Sequence, residues 1–112
     1  MMQELTLIDV IINTSLEVED NRSKYYVLSK IGEEFGELST EVGITMGDSY
    51  KKPGKDGVIG EAIDVIISTL DLIYLENPRI TEDELIAIAM PKLEKWKAKV
   101  EAKKNEFPTN VN

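Results

Sequence analysis

The 112-residue chain contains neither cysteine nor histidine. The first absence excludes a disulfide framework and a thiolate metal site, and the second removes imidazole ligands and the commonest general base. Any metal must therefore be held by oxygen, which suits the hard cations Mg²⁺, Mn²⁺ and Ca²⁺ and disfavours zinc or di-iron chemistry. Positive charge is also scarce, with 13 basic against 21 acidic residues and a net charge of -8. A general nucleic-acid-binding surface needs the opposite balance. Long apolar runs are missing too. The most apolar stretch, residues 58–75, is interrupted by Glu61, Asp64 and Asp71, too many charges for a membrane span. The first residues lack the basic start and unbroken apolar run of a signal peptide. A cytoplasmic protein without membrane or nucleic-acid partners is expected.

Apolar spacing predicts four helices, and no stretch alternates as a strand would. The first covers residues 2–19, with Leu5, Ile8, Ile12 and Leu16 on one face. Ser23 is placed to cap a second helix running to about residue 46, whose core face is Val27, Leu28, Ile31, Phe35, Leu38 and Val42. A connection with a Pro-Gly turn follows, and a third helix spans about 57–76, ending before Asn77-Pro78. Thr81 and Glu84 form a capping-box pattern at the start of a fourth helix carrying Leu85, Ile86, Ile88, Ala89, Leu93, Trp96 and Val100, where Pro91 should kink or divide it. The expected architecture is all-α, an antiparallel four-helix bundle in one domain over residues 1–106, with a flexible tail at 107–112.

The acids of the two middle helices are patterned. At 100° per residue, Glu34, Glu37 and Glu41 fall in a band about 60° wide beside the apolar stripe. Glu61, Asp64, Ser68 and Asp71 make a similar band about 80° wide on the third helix. That helix has no Lys or Arg between residues 58 and 75, so its acids must face water, a cation or another helix. Leaving them unpaired in a core would cost several kcal/mol each, on the order of a buried charge penalty, or would protonate them. Spacing alone leaves two readings open: two solvated helix faces, or two acidic bands facing each other across a divalent ion.

Glu33-Glu34-Phe35-Gly36-Glu37-Leu38, followed after a loop by Glu61-Ala62-Ile63-Asp64-Val65, resembles the Glu-Glu-x-x-Glu and Glu-x-x-Asp signature of the all-α nucleoside triphosphate pyrophosphohydrolases. That group takes in MazG-like proteins, dimeric dUTPases and phosphoribosyl-ATP pyrophosphohydrolase. The resemblance covers residues 27–75, with a fainter echo at Lys92-Leu93. It implies Glu34, Glu37, Glu61 and Asp64 as ligands of Mg²⁺ or Mn²⁺, and Glu33 as a water-orienting catalytic base or outer-shell acid. It further implies cleavage of a nucleoside triphosphate to a monophosphate and pyrophosphate, with nucleotide-pool control as the role, by a dimer or dimer of dimers. Phosphoribosyl-ATP hydrolysis is the alternative on the same scaffold, and a non-catalytic acidic helical module is the alternative from another class.

Supporting roles follow from charge and position. Glu41 and Asp71 are candidates for a second ion or an outer shell, Asp71 also for orienting a lysine. Phosphate-binding candidates are Lys30, one turn before Glu34, with Lys92 and Lys95; of these only Lys92 has support from the resemblance. The loop lysines Lys51, Lys52 and Lys55 and the later Lys99 read more plainly as surface charge. Tyr50 and Trp96 are the aromatics placed to stack on a base, although a lone helical Trp more often packs in a core. Gly32, Gly36 and Gly43 would let a second helix, such as one from another subunit, approach closely.

Overall fold

The computed structural model describes residues 4–18, 21–48 and 51–106, and all secondary structure among them is helical. The helices are α1 (Leu7–Glu17), α2 (Lys24–Thr45), α3 (Gly57–Glu76) and α4 (Glu82–Glu106). The all-α expectation is borne out. No helix among the described residues is long and apolar enough to cross a membrane. The chain divides into two compact units, one up to Arg79 and one from Ile80 onward.

The helix ends follow side-chain chemistry. α1 begins at Leu7, later than its apolar pattern suggested, because Thr6 and Asp9 form a reciprocal capping box. Asp9 N donates to Thr6 Oγ1 at 3.1 Å and Thr6 N donates to Asp9 Oδ2 at 3.2 Å, satisfying two amides that the first turn would otherwise leave open. Ser23 caps α2 as expected, accepting from Tyr26 N at 3.0 Å. α3 has the predicted bounds, and Gly57 enters it with φ +65°, a left-handed conformation that a glycine adopts without strain.

In the first unit α2 and α3 run antiparallel. Lys24 at the start of α2 pairs with Glu76 at the end of α3, while Glu41 near the end of α2 meets Gly54 just before α3. Among the described residues the buried apolar ones are Ile11, Val27 and Leu70, one from each helix of this unit. α1 turns Ile11 and Ser15 inward; Leu5 and Leu16 of its predicted stripe are 62% and 53% exposed. The buried positions 11 and 15 lie four apart on a neighbouring face, so the stripe is rotated from the one assigned by hydrophobicity alone. On α2 Val27 is buried and Ile31 and Leu38 half-buried, but Leu28, Phe35 and Val42 are exposed.

The second unit is α4. Thr81 and Glu84 form the predicted capping box, with Glu84 N donating to Thr81 Oγ1 and Thr81 N donating to Glu84 Oε1, both at 3.1 Å. Pro91 lies inside α4, which is not divided there: proline removes one backbone donor, and the helix runs through the gap. α4 has no buried residue, and its first turn is acidic and its last basic, matching the helix dipole.

Candidate metal centre

The antiparallel hairpin brings Glu34 and Glu37 of α2 against Glu61 and Asp64 of α3. One carboxylate oxygen from each lies within 4.8 Å of the others. Spacing of three on each helix places both acids of a pair on one face, and antiparallel packing turns the two faces toward each other. Glu34, Glu61 and Asp64 are half-buried and Glu37 is exposed, so the group opens to solvent on the Glu37 side.

Burial and the crowding of like charges act on two of these carboxyls. Glu34 is held above the ordinary carboxylate range, first by loss of water and then by the charges of Glu37 and Asp64. Glu61 is raised for the same reasons. Glu61 Oε2 is buried with no hydrogen-bond partner. An unpaired buried carboxylate oxygen is costly, and its neighbours here are further carboxylates that can offer nothing but a proton. The donor set fits a hard divalent cation. Opposed oxygens around Mg²⁺, at 2.0–2.1 Å each, are about 4.2 Å apart, close to the spread observed.

The other candidate acids have different company. Asp71, two turns beyond Asp64, is bound by Arg22: its Oδ2 accepts from Nε at 2.8 Å and its Oδ1 from Nη2 at 2.6 Å. Ser15 Oγ also donates to Asp71 Oδ1, and Arg22 Nη2 donates to the Ser15 carbonyl at 3.2 Å. This guanidinium holds the Asp71 carboxyl below its usual range. Asp71 is thus committed to an arginine and orients no lysine. Glu41 is buried and accepts Gly54 N on both oxygens, at 3.0 and 3.1 Å. It fastens the loop instead of joining the four. Glu33 is exposed and takes Lys30 Nζ at 3.4 Å, one turn back on α2, and this acid raises the lysine's pKa.

The remaining candidates divide by unit. Lys92, Lys95 and Trp96 are all exposed on α4, Trp96 at 66%. Tyr50 and the tail at 107–112 lie outside the described residues. Cβ atoms added at Gly32 and Gly36 would meet nothing within 4 Å among the described residues.

Sequence reasoning missed a groove of about 470 Å³ between α1, α2 and α3. Its walls include Val10, Ile11, Tyr26, Val27 and Ile67, and Ser15, Arg22 and Asp71 also line it. Lys30 and Ser68 line it as well, each one turn from a carboxylate of the cluster, Glu34 and Asp64. The available signal was Ser15, a polar residue on the inward face of α1. Comparison with protein-family models, with curated proteins and with solved structures finds no match for this chain.

Proposed function

We propose that this chain is a Mg²⁺- or Mn²⁺-dependent nucleoside triphosphate pyrophosphohydrolase. The observation that carries this reading is the convergence of Glu34, Glu37, Glu61 and Asp64 with no cation among their neighbours on α3 and an orphaned oxygen at Glu61. These four acids would hold the ion or ions. A bound divalent ion supplies activation of water near neutral pH and neutralisation of charge on the pyrophosphate leaving group.

The chain's own residues divide the remaining work. Glu33, exposed beside the cluster in sequence, would orient a water and accept its proton as the water oxygen bonds to the α-phosphorus and the bond from that phosphorus to the α–β bridging oxygen breaks, releasing pyrophosphate. Lys30 stands between the groove and Glu34 and meets a phosphate oxygen as a point charge. The apolar groove beyond it takes the nucleoside, keeping water from the base while the Arg22, Ser15 and Asp71 end offers hydrogen bonds. The exposed Tyr25, Leu28 and Phe35 on α2 are then covered by a second copy in a homo-oligomer.

A panel of canonical and modified nucleoside triphosphates, incubated with Mg²⁺ or Mn²⁺, tests the reading. Monophosphate and pyrophosphate should appear together in equal amounts. Release of orthophosphate, or activity indifferent to Glu34→Gln and Asp64→Asn, would refute it.

A further inference from the structure

The loop between α2 and α3 is tied down at one point. Glu41, 7% exposed, is the only charged residue in the buried class among the described residues, and both its oxygens accept the Gly54 amide at 3.0 and 3.1 Å. The approach is close enough that a Cβ at Gly54 would come within 3.2 Å of Glu41 Oε2. Glycine keeps the amide within reach of the carboxylate. Lys55 follows this residue and Lys52 precedes it by two, both exposed.

Along α2 the residues that matter stand in order. Val27 and Lys30 line the groove, Glu34 and Glu37 belong to the carboxylate group, and Glu41 holds the loop. At 1.5 Å per residue the distance from Lys30 to Glu41 is about 16 Å. Glu41 is only about 6 Å along the axis from Glu37, within reach of a lysine stem anchored beside Gly54. Four carboxylates already balance the charge of two divalent ions, so the several negative charges of a polyphosphate need further cations. Arg22 and Lys24 of this unit are ion-paired to Asp71 and Glu76, and Lys30 stands on the groove side.

We propose that Glu41 is a positioning residue that seats the α2–α3 loop so that Lys52 and Lys55 bind the pyrophosphate portion of the substrate, at the end of the carboxylate group opposite the groove. This assignment rests on the pyrophosphohydrolase reading and gives it a direction: nucleoside toward α1, leaving pyrophosphate toward the loop. Lys52 and Lys55 contact the phosphates, and Glu41 acts through them.

The test is titration of the full chain with Mn²⁺ alone and then with inorganic pyrophosphate in the presence of Mn²⁺, with helix content followed by circular dichroism. Glu41→Ala should weaken pyrophosphate binding about tenfold while Mn²⁺ affinity and helix content hold, as expected when charge-assisted contacts are misplaced and not deleted. Glu41→Gln, whose carbonyl oxygen still accepts from Gly54 N, should keep most of the affinity. Lys52→Ala and Lys55→Ala should each lose about three- to tenfold, the size of a charge-assisted contact to phosphate. Should Glu41→Ala not fold, Gly54→Pro removes the donor and leaves the carboxylate, and the two surface lysine variants stand independently. Mn²⁺ binding with pyrophosphate affinity unchanged in the lysine variants overturns the loop assignment alone. A wild-type chain that takes up no Mn²⁺ brings down the enzymatic reading and this inference with it.

Discussion

Two groups of acids sit on the same pair of helices and have opposite fates. Asp71 is enclosed with Arg22 and Ser15, every oxygen is satisfied, and its carboxyl is held below the ordinary range. Glu34 and Glu61, farther along the same hairpin, face other carboxylates and are held above it. A side chain with its counter-charge built in contributes to the fold. A side chain left among like charges is pushed toward protonation, and a cation bound there would relieve it.

The comparison breaks most sharply under substitution of the cluster. Glu34→Gln or Asp64→Asn should lower metal-dependent pyrophosphate release by at least about a hundredfold, beyond the ten- to hundredfold usual for outer-shell partners of a metal. The same changes should leave the metal-free melting temperature unchanged or higher, because each removes a repelling charge. Differential scanning with and without Mn²⁺ checks both halves: Mn²⁺ should raise the midpoint of the wild type and not of the variants.

Arg22→Leu should instead lower the stability of the fold. Arg22 and Asp71 side chains are 9% and 19% exposed, and removing one partner strands a buried carboxylate, at a loss of about 3 kcal/mol. Urea unfolding measures this. Equal stability in the variant would mean that Asp71 finds another partner and that the pair is not architectural.

Much of this was legible in the sequence, for a physical reason. Helix periodicity and caps are local, so the bounds of α3 and the capping residues Ser23 and Thr81 could be read directly, and the spacing of Glu34, Glu37, Glu61 and Asp64 put each pair on one face. What could not be read was partnership across the fold. Asp71 and Ser15 are 56 residues apart and Asp71 and Arg22 49 apart, and nothing in the local pattern of α3 says that Asp71 turns to an arginine in the α1–α2 connection while Asp64 turns to acids. Glu41 belongs to the same acidic band as Glu37 by angle, yet a loop amide 13 residues away claims it. The exposure of Leu16 and Phe35 was also illegible, since apolar spacing marks a stripe without saying what covers it.

Acid should pull the two groups apart. Glu34 and Glu61 have folded values raised above 4.5, so their contribution favours folding below that pH and is lost as pH rises through the raised values. Asp71 is lowered from 3.8, so its contribution is present above about that pH and is lost as pH falls through the lowered value. In EDTA the midpoint contributed by the cluster should therefore rise on going from neutral pH toward 5, a trend flattened in the Glu34→Gln, Glu61→Gln double variant. Steep loss should set in only below about 3.8, and Asp71→Asn should blunt that limb. Excess Mg²⁺ should abolish the upper trend, because the ion holds the carboxylates ionised; persistence of that trend in Mg²⁺ would count against a cation at this place.

The smallest effect isolates what burial adds. Lys24 and Glu76 are joined at 2.7 Å, nearly the 2.6 Å of the Arg22–Asp71 pair, but their side chains are 59% and 70% exposed. Water and salt screen such a pair, and two long side chains lose freedom to make it. Lys24→Ala should therefore leave the unfolding midpoint indistinguishable from the wild type at moderate salt, although Lys24 pulls the Glu76 carboxyl below its ordinary value. A drop as large as that of Arg22→Leu would show that closing the open end of the hairpin matters to α2–α3 register. The contrast between the two groups of acids would then rest on position along the hairpin instead of on solvation.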